Sequence, residues 1–338
     1  MSESQSAIVK LVEDSNDFKL KRTWNLPNRE KLKLYYRHLP LVEVATIDSP
    51  IPSQLTLDRV ILPAASPPGA PIPITYEWSG SAEQLQSGIV LLTWQSLTDD
   101  RQYWLHDRSI GMGEFFIDNL NKKPQTFQVI ERTAMLPPKT IAPQQYKLIA
   151  TYLDRSTGKA TPLSIPQITI KIDPQAKATP APELDLASQL REIAPAMKQG
   201  IKGLERIFAQ TARINQYDAR QDYLKQTELA LAYRLQHDKI DRAQQIDCLY
   251  TVGLARVLQQ NVTGSIAAFQ NITRLDSQNP FSYAYLAFIY LYDWQPKNAE
   301  IALNTASSID PDIPEIETLQ GVAALMQGKL IKAWNFYR

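Results

Sequence analysis

The chain has 338 residues, 44% hydrophobic, 21% charged and 9% aromatic, which excludes wholesale disorder and leaves room for two domains at roughly 100 to 200 residues each. Thirty-six Lys and Arg stand against thirty-five Asp and Glu, a formal charge of +1, so no global field draws the chain toward nucleic acid and no such partner is expected. One cysteine, Cys248, excludes an internal disulfide, and with only His38, His106 and His237 beside it neither a metal nor another cofactor is expected.

The first fifty residues read as an arm. Met1 to Gln5 is polar and Lys10 interrupts the apolar residues around it, so no secretory h-region is present. As given, the chain reads as cytoplasmic; as a piece of a larger protein it would be membrane-associated or extracytoplasmic. Between Lys19 and His38 lie seven Lys or Arg against Glu30, with Trp24, Tyr35 and Tyr36 among them. Two readings stand side by side: contact with an anionic lipid surface or nucleic acid, or an arm that packs its aromatics on the next domain.

Eighteen of the twenty-three prolines fall between Pro27 and Pro182, and a proline-dense half cannot be built from long helices. Within residues 51–172 the pattern alternates with a period of two: Ile72, Ile74, Tyr76 and Trp78 share one face, Tyr146, Leu148, Ala150 and Tyr152 another, and Ile168, Ile170 and Ile172 a third. Turn signals separate them, among them Ser66-Pro-Pro-Gly69 and a hairpin loop at Asp154 to Gly158. Seven or eight short strands with no helical period between them predict an antiparallel, immunoglobulin-like β-sandwich. Trp78, Trp94 and Trp104 read either as sandwich core or as a platform for stacking sugars. His106, Asp107 and Arg108 alternate in direction along a strand, so they cannot act as one acid–base unit and are expected to be structural.

Residues 173–185, with three prolines and no large apolar residue before Leu184, predict an extended linker. From residue 186 to 338 the period becomes 3.6: Leu186, Leu190, Ile193, Met197, Ile201, Leu204 and Phe208 recur at helical steps, and Leu229, Leu231, Ala232 and Leu235 continue the pattern. Phe281 to Tyr292 is too short to span a bilayer and reads as a core helix.

A longer period overlies these helices. Gly253, Ala287 and Gly321 are thirty-four residues apart, as are Ser265, Ala299 and Ala333, and Phe269, Leu303 and Tyr337. This resembles the tetratricopeptide repeat, with copies at 246–279, 280–313 and, in part, 314–338; Tyr283, Leu286, Ala287, Tyr290, Ala299, Leu303, Ala306 and Pro311 fit its pattern, while Arg256, Ser265, Glu317 and Gln320 depart from it. The resemblance implies a helical solenoid with a concave groove formed by Asp247, Tyr250, Leu254 and Val257 in the first copy and Phe281, Ala284, Phe288 and Leu291, with Tyr292 close by, in the second. That groove would take a protein or peptide, or be covered by the preceding helices or by a second copy of the chain.

The segment from Leu57 to Ile172 resembles the β-sandwich accessory module of some bacterial membrane glycosyltransferases, in Pro68-Gly-Ala-Pro-Ile-Pro-Ile-Thr-Tyr-Glu-Trp78, in His106-Asp-Arg108 with Gly111 and Gly113, and in Tyr146 to Gly158. The resemblance implies a non-catalytic module of an envelope glycan system. Cys248 and the serines lack a neighbouring base or nucleophile elbow, and Ile110 to Glu114 lacks a phosphate-loop lysine, so no catalytic residue is expected. The expected function is that of a non-enzymatic adaptor or scaffold using the groove, and the alternative is the glycan-assembly module.

Overall fold

The computed structural model describes residues 13, 18–26, 31–37, 41–113, 125–198, 200 and 223–336. His38, Ile201, Leu204, Phe208 and Tyr337, each named by the sequence pattern, lie outside them. Strands β1 (Phe18–Asn25) and β2 (Lys31–Arg37) form an antiparallel hairpin that joins neither of the larger sheets. The chain continues through β3 (Val42–Ile47), β4 (Thr56–Ile61), β5 (Ala65–Ser66), β6 (Ile72–Ser81), α1 (Ala82–Ser87), β7 (Gly88–Ser96), β8 (Tyr103–Leu105) and β9 (Arg108–Ser109). A 3-10 turn at Ile110–Gly113 precedes β10 (Thr126–Met135), β11 (Gln145–Asp154), β12 (Ala160–Pro162) and β13 (Thr169–Ile172).

Two sheets result. One runs β3-β10-β6-β4; the other runs β5-β13-β11-β7-β8, with β12 on β11 and β9 on β7. Pairing is antiparallel except at β5 and β13, which are parallel. The strand β3 therefore belongs to the sheet at its edge and not to the arm. The alternating residues meet between the sheets: Tyr76 and Trp78 from β6 share a core with Val90, Leu92 and Trp94 from β7 and with Tyr146 and Leu148 from β11. No helix was expected here, yet α1 sits between β6 and β7, started by a capping box in which Ser81 and Gln84 satisfy each other's backbone N–H.

Strand β7 differs from the alternating strands because both of its faces are buried. Val90, Leu92 and Trp94 face the other sheet, while Ile89 and Leu91 face outward against Ala230. Such two-sided burial explains its unbroken apolar run.

The second half is helical: α2 (Leu186–Met197), α3 (Tyr223–His237), α4 (Arg242–Leu258), α5 (Val262–Leu275), α6 (Pro280–Tyr292), α7 (Pro296–Ile309), α8 (Pro314–Met326) and α9 (Leu330–Phe336). In α3 the buried stripe is Tyr223, Leu224, Thr227, Ala230, Leu231 and Arg234; Leu229 is exposed, a different phase from the one its leucines suggested. The pairs α4/α5, α6/α7 and α8/α9 share one turn geometry. Gln260, Trp294 and Gly328, thirty-four residues apart, take left-handed φ values of 57°, 55° and 73°. The following residues, Asn261, Gln295 and Lys329, donate their N–H to the carbonyls of Arg256, Tyr290 and Ala324 at 2.9, 2.8 and 2.9 Å, the paired hydrogen bonds of a Schellman ending. Small residues set the helix approach: a Cβ on Gly253 would stand 2.8 Å from the Phe269 ring, and Ala287, Ala299 and Ala306 are fully buried.

Candidate functional site

Phase placed nine residues in one groove, and the structure separates them. Tyr250, Leu254, Ala284 and Leu291 are buried in the helical core. The cover comes from the chain itself. Leu190, Ile193, Ala194 and Met197 of α2 pack into the same cluster as Tyr250 and Leu254, and Val257 is packed at its margin. Lys198 then reaches Asp247 at 2.6 Å, so this groove carboxylate already has a cation; burial pushes its pKa up and Lys198 opposes the shift. Asn279 and Tyr285 donate to the carbonyls of Lys198 and Gly200 at 3.0 and 2.8 Å, and Phe281 lies beside Gly200. The near part of the groove is therefore self-occupied. At its far end Phe288 is half-buried and Tyr292 is 66% exposed.

The tryptophans are core residues. Trp78 and Trp94 are wholly buried and Trp104 nearly so. Trp94 and Trp104, paired across β7 and β8, stack at 5.8 Å, and Trp78 donates its indole N–H to Glu131 at 2.8 Å. Trp78 and Trp94 leave no ring face for a sugar, because the sheets bury both rings between them; Trp104 reaches the wall of a cleft between the two halves.

A set of buried charges that the sequence pattern did not reveal joins the two halves. Asp107 accepts a two-pronged pairing from Arg234: Nη2 to Oδ1 at 2.7 Å and Nε to Oδ2 at 3.1 Å. Arg191 adds a contact to Oδ2 at 3.2 Å, and the Leu92 N–H donates to Oδ1. On the other side of the strand, Arg108 lies 3.6 Å from Glu131 and 3.5 Å from Asp185, the residue that also caps α2 through the Ser188 N–H. His106 completes the set. Arginine can only donate, so the contact from Arg108 Nη1 at 3.2 Å makes His106 Nε2 an acceptor; Nδ1 then carries the proton and donates to the Tyr76 hydroxyl at 2.9 Å. The alternation expected of His106, Asp107 and Arg108 is present, and all three serve as structural contacts.

Charge balance explains why so many ions are tolerated without water. The sheets contribute Asp107, Arg108 and Glu131; the linker end and helices contribute Asp185, Arg191 and Arg234. Each cation has an anion, Arg234 has a second one in the partly exposed Asp238 at 2.9 Å, and the Arg108 contact keeps His106 neutral. Burial, followed by the neighbouring Arg108, lowers its pKa to about 3. For Asp107 burial acts the other way, but Arg234 and Arg191 outweigh it and hold the carboxyl below its ordinary range; Arg108 and His106 do the same for Asp185. Residues 173–185 thus end in a pinned residue.

Beside this junction a cleft of about 590 Å³ opens between the halves, with Tyr103, Trp104 and Pro137 on one wall and Arg191, Leu231 and Cys248 on the other. Burial pushes the Cys248 thiol up to about 11, so it is protonated at neutral pH and a poor nucleophile.

Apolar side chains crowd the surface elsewhere, around two adjacent turns. Tyr292, Trp294, Leu325, Leu330, Ile331 and Trp334 are each more than half exposed. The turns are neighbours because Gln327 donates to Pro296 O at 3.3 Å and Lys329 pairs with Glu300 at 3.0 Å. Trp294 is 82% exposed while held at positive φ, where Gly328 stands in the next turn.

No protein-family model and no curated protein matches the chain, so the tetratricopeptide resemblance rests on the thirty-four-residue register alone. Among solved structures, one similar chain comes from the Chs5–Chs6 exomer cargo adaptor complex bound to a portion of Chs3; identity is 9% and the TM-score 0.29, over 74% of this chain and 47% of that one. The present chain spans about half the length of that neighbour. A superposition of that quality assigns no residue of one chain to a counterpart in the other. Among the described residues, no helix is long and apolar enough to cross a membrane.

Proposed function

We propose that the chain is a non-enzymatic adaptor: an immunoglobulin-like β-sandwich fixed to a short solenoid of tetratricopeptide-like hairpins, which captures a partner's apolar segment at its turn edge. One observation carries this proposal, the exposure of Tyr292 and Trp294 at one turn and of Leu325 and Leu330 at the turn next to it. A non-glycine residue in the left-handed region costs roughly 1–2 kcal/mol. A solvent-exposed indole recovers none of that by packing within its own chain. Contiguous exposed apolar surface of this kind marks an interaction site, and Trp and Tyr are the side chains that dominate interface energetics. The edge continues into Phe288 and the far groove, so an amphipathic helix or extended peptide would have an aromatic anchor at one end and an aliphatic shelf at the other.

The test is a random peptide library panned against the full chain. Binders should carry aromatic or aliphatic anchors, and Tyr292→Glu combined with Leu325→Glu should weaken them tenfold or more while the thermal transition stays in place. Binders that tolerate both substitutions, and Phe288→Glu as well, would exclude this edge as the docking surface.

A further inference from the structure

The hairpin of β1 and β2 breaks the charge balance seen everywhere else in the chain. Its eight and seven residues carry Lys19, Lys21, Arg22, Lys31, Lys33 and Arg37 and no Asp or Glu. Strand pairing sorts the side chains onto two faces. Arg22 opposes Leu34 and Trp24 opposes Leu32, so these four share one face; Thr23 opposes Lys33 and Asn25 opposes Lys31 on the other. Leu32 and Leu34 are 54% and 45% exposed, and Leu20 is 51% exposed. The Arg22 guanidinium lies 5.0 Å from the Trp24 ring centre, fixing a cation at the margin of the apolar face. On the opposite face Glu13 takes Lys33 and the Tyr35 hydroxyl.

A two-stranded hairpin with both faces in water is marginal by itself, and cations along its strands discourage pairing with a further strand. Among the described residues Leu32 and Leu34 stay exposed, and the chemistry a partner for them would need is legible. The cations require dense negative charge, while Leu32 and Leu34 beside Trp24 require an apolar layer directly beneath it. An acidic lipid bilayer offers both at the spacing of headgroup and acyl chain, with the indole at the boundary and the Arg22 guanidinium beside it at the level of the phosphates. Nucleic acid offers the charge but nothing that rewards exposed leucines.

We infer that the β1–β2 hairpin docks the chain on an anionic membrane surface, its Trp24–Leu32–Leu34 face entering the headgroup boundary and Arg22 at the margin of that face holding acidic lipid. The experiment is co-sedimentation of the full chain with vesicles of phosphatidylcholine containing one quarter phosphatidylserine, against pure phosphatidylcholine and against a polyuridine competitor. The expected result is binding to the acidic vesicles alone, weakened by added salt and lowered at least tenfold by Leu32→Glu with Leu34→Glu. Arg22→Gln, which leaves the apolar residues intact, should lower binding several-fold and reduce its salt dependence. Circular dichroism establishes that both variants keep the wild-type thermal transition. Equal recovery with acidic and neutral vesicles, wild-type binding by both variants, or displacement of the chain by polyuridine at charge parity would each overturn the inference.

Discussion

Two regions of this molecule invert the usual partition of polar and apolar groups, in opposite directions. At the junction between sheets and helices, Asp107, Arg108, Glu131, Asp185 and Arg234 are buried with their charges. At the turn edge, Tyr292, Trp294, Leu330 and Ile331 stand in solvent. The first inversion is compensated, since each buried ion meets one of opposite sign. The second has no compensation within the described residues. An interface with its partner in place looks like the junction, and an interface awaiting its partner looks like the edge. The same chain displays both, so the adaptor proposal pairs a fixed internal joint with an open external one.

That comparison can be broken most forcefully at Asp107. Replacing it with Ala leaves Arg191 without its carboxylate and Arg234 with only the partly exposed Asp238, a loss of about 3–5 kcal/mol of the kind seen when one partner of a buried pair is removed. Urea unfolding should show this loss, and a change below about 1 kcal/mol, the level of an exposed pair, would show that the joint opens in solution. A packing control lies in the helical half: Gly253→Val drives a side chain into Phe269 and should cost about 1–3 kcal/mol, measured the same way, with no change in peptide binding at the edge.

Between pH 7 and pH 5 acid should act chiefly on the junction. The pKa of His106 is depressed in the fold, from an ordinary 6.5 to about 3, so below pH 6.5 the unfolded chain takes up a proton that the folded one refuses. Stability is then complete above pH 6.5 and falls by on the order of 2 kcal/mol by pH 5. Asp107 and Asp185, also depressed, add their own loss below the ordinary carboxylate range near 3.8. The midpoint of thermal unfolding followed from pH 7 to pH 5 checks this, and His106→Phe should flatten the slope across that interval. Smallest in stability, and opposite in sign, is Trp294→Gly. It relieves the left-handed strain and should stabilise the fold by about 0.5–1 kcal/mol, while peptide binding falls tenfold or more.

Much of the scaffold was legible because it is periodic. The alternation from Ile72 to Trp78 identified the face that meets the second sheet, and Gly253, Ala287 and Gly321 fixed the register in which the helices pair. The same register, carried to Gln260, Trp294 and Gly328, reappears in the turn geometry. Cover was not legible. The phase of α4 and α6 gives a direction for Tyr250 and Ala284 but says nothing of α2 or of Lys198 to Gly200 lying over them. The junction was hidden for a related reason: Asp107 and Arg234 are 127 residues apart, and no local pattern links them. Two signals did exist in the sequence. Arg234 is the one charged residue in the buried stripe of α3, and Ile89 to Leu92 runs apolar without alternation, the mark of a strand covered on both faces. The exposed edge escaped notice because its members are scattered over two turns that only tertiary packing brings together.

The most direct measurement is hydrogen–deuterium exchange of the full chain, free and with a library-selected peptide. Slow exchange at residues 104–109, 186–191 and 228–235 in both states, with new protection on binding confined to residues 288–296 and 325–334, is the predicted result. Rapid exchange at the junction in the free chain, or protection that falls on the sheets and leaves both turns unchanged, would contradict it.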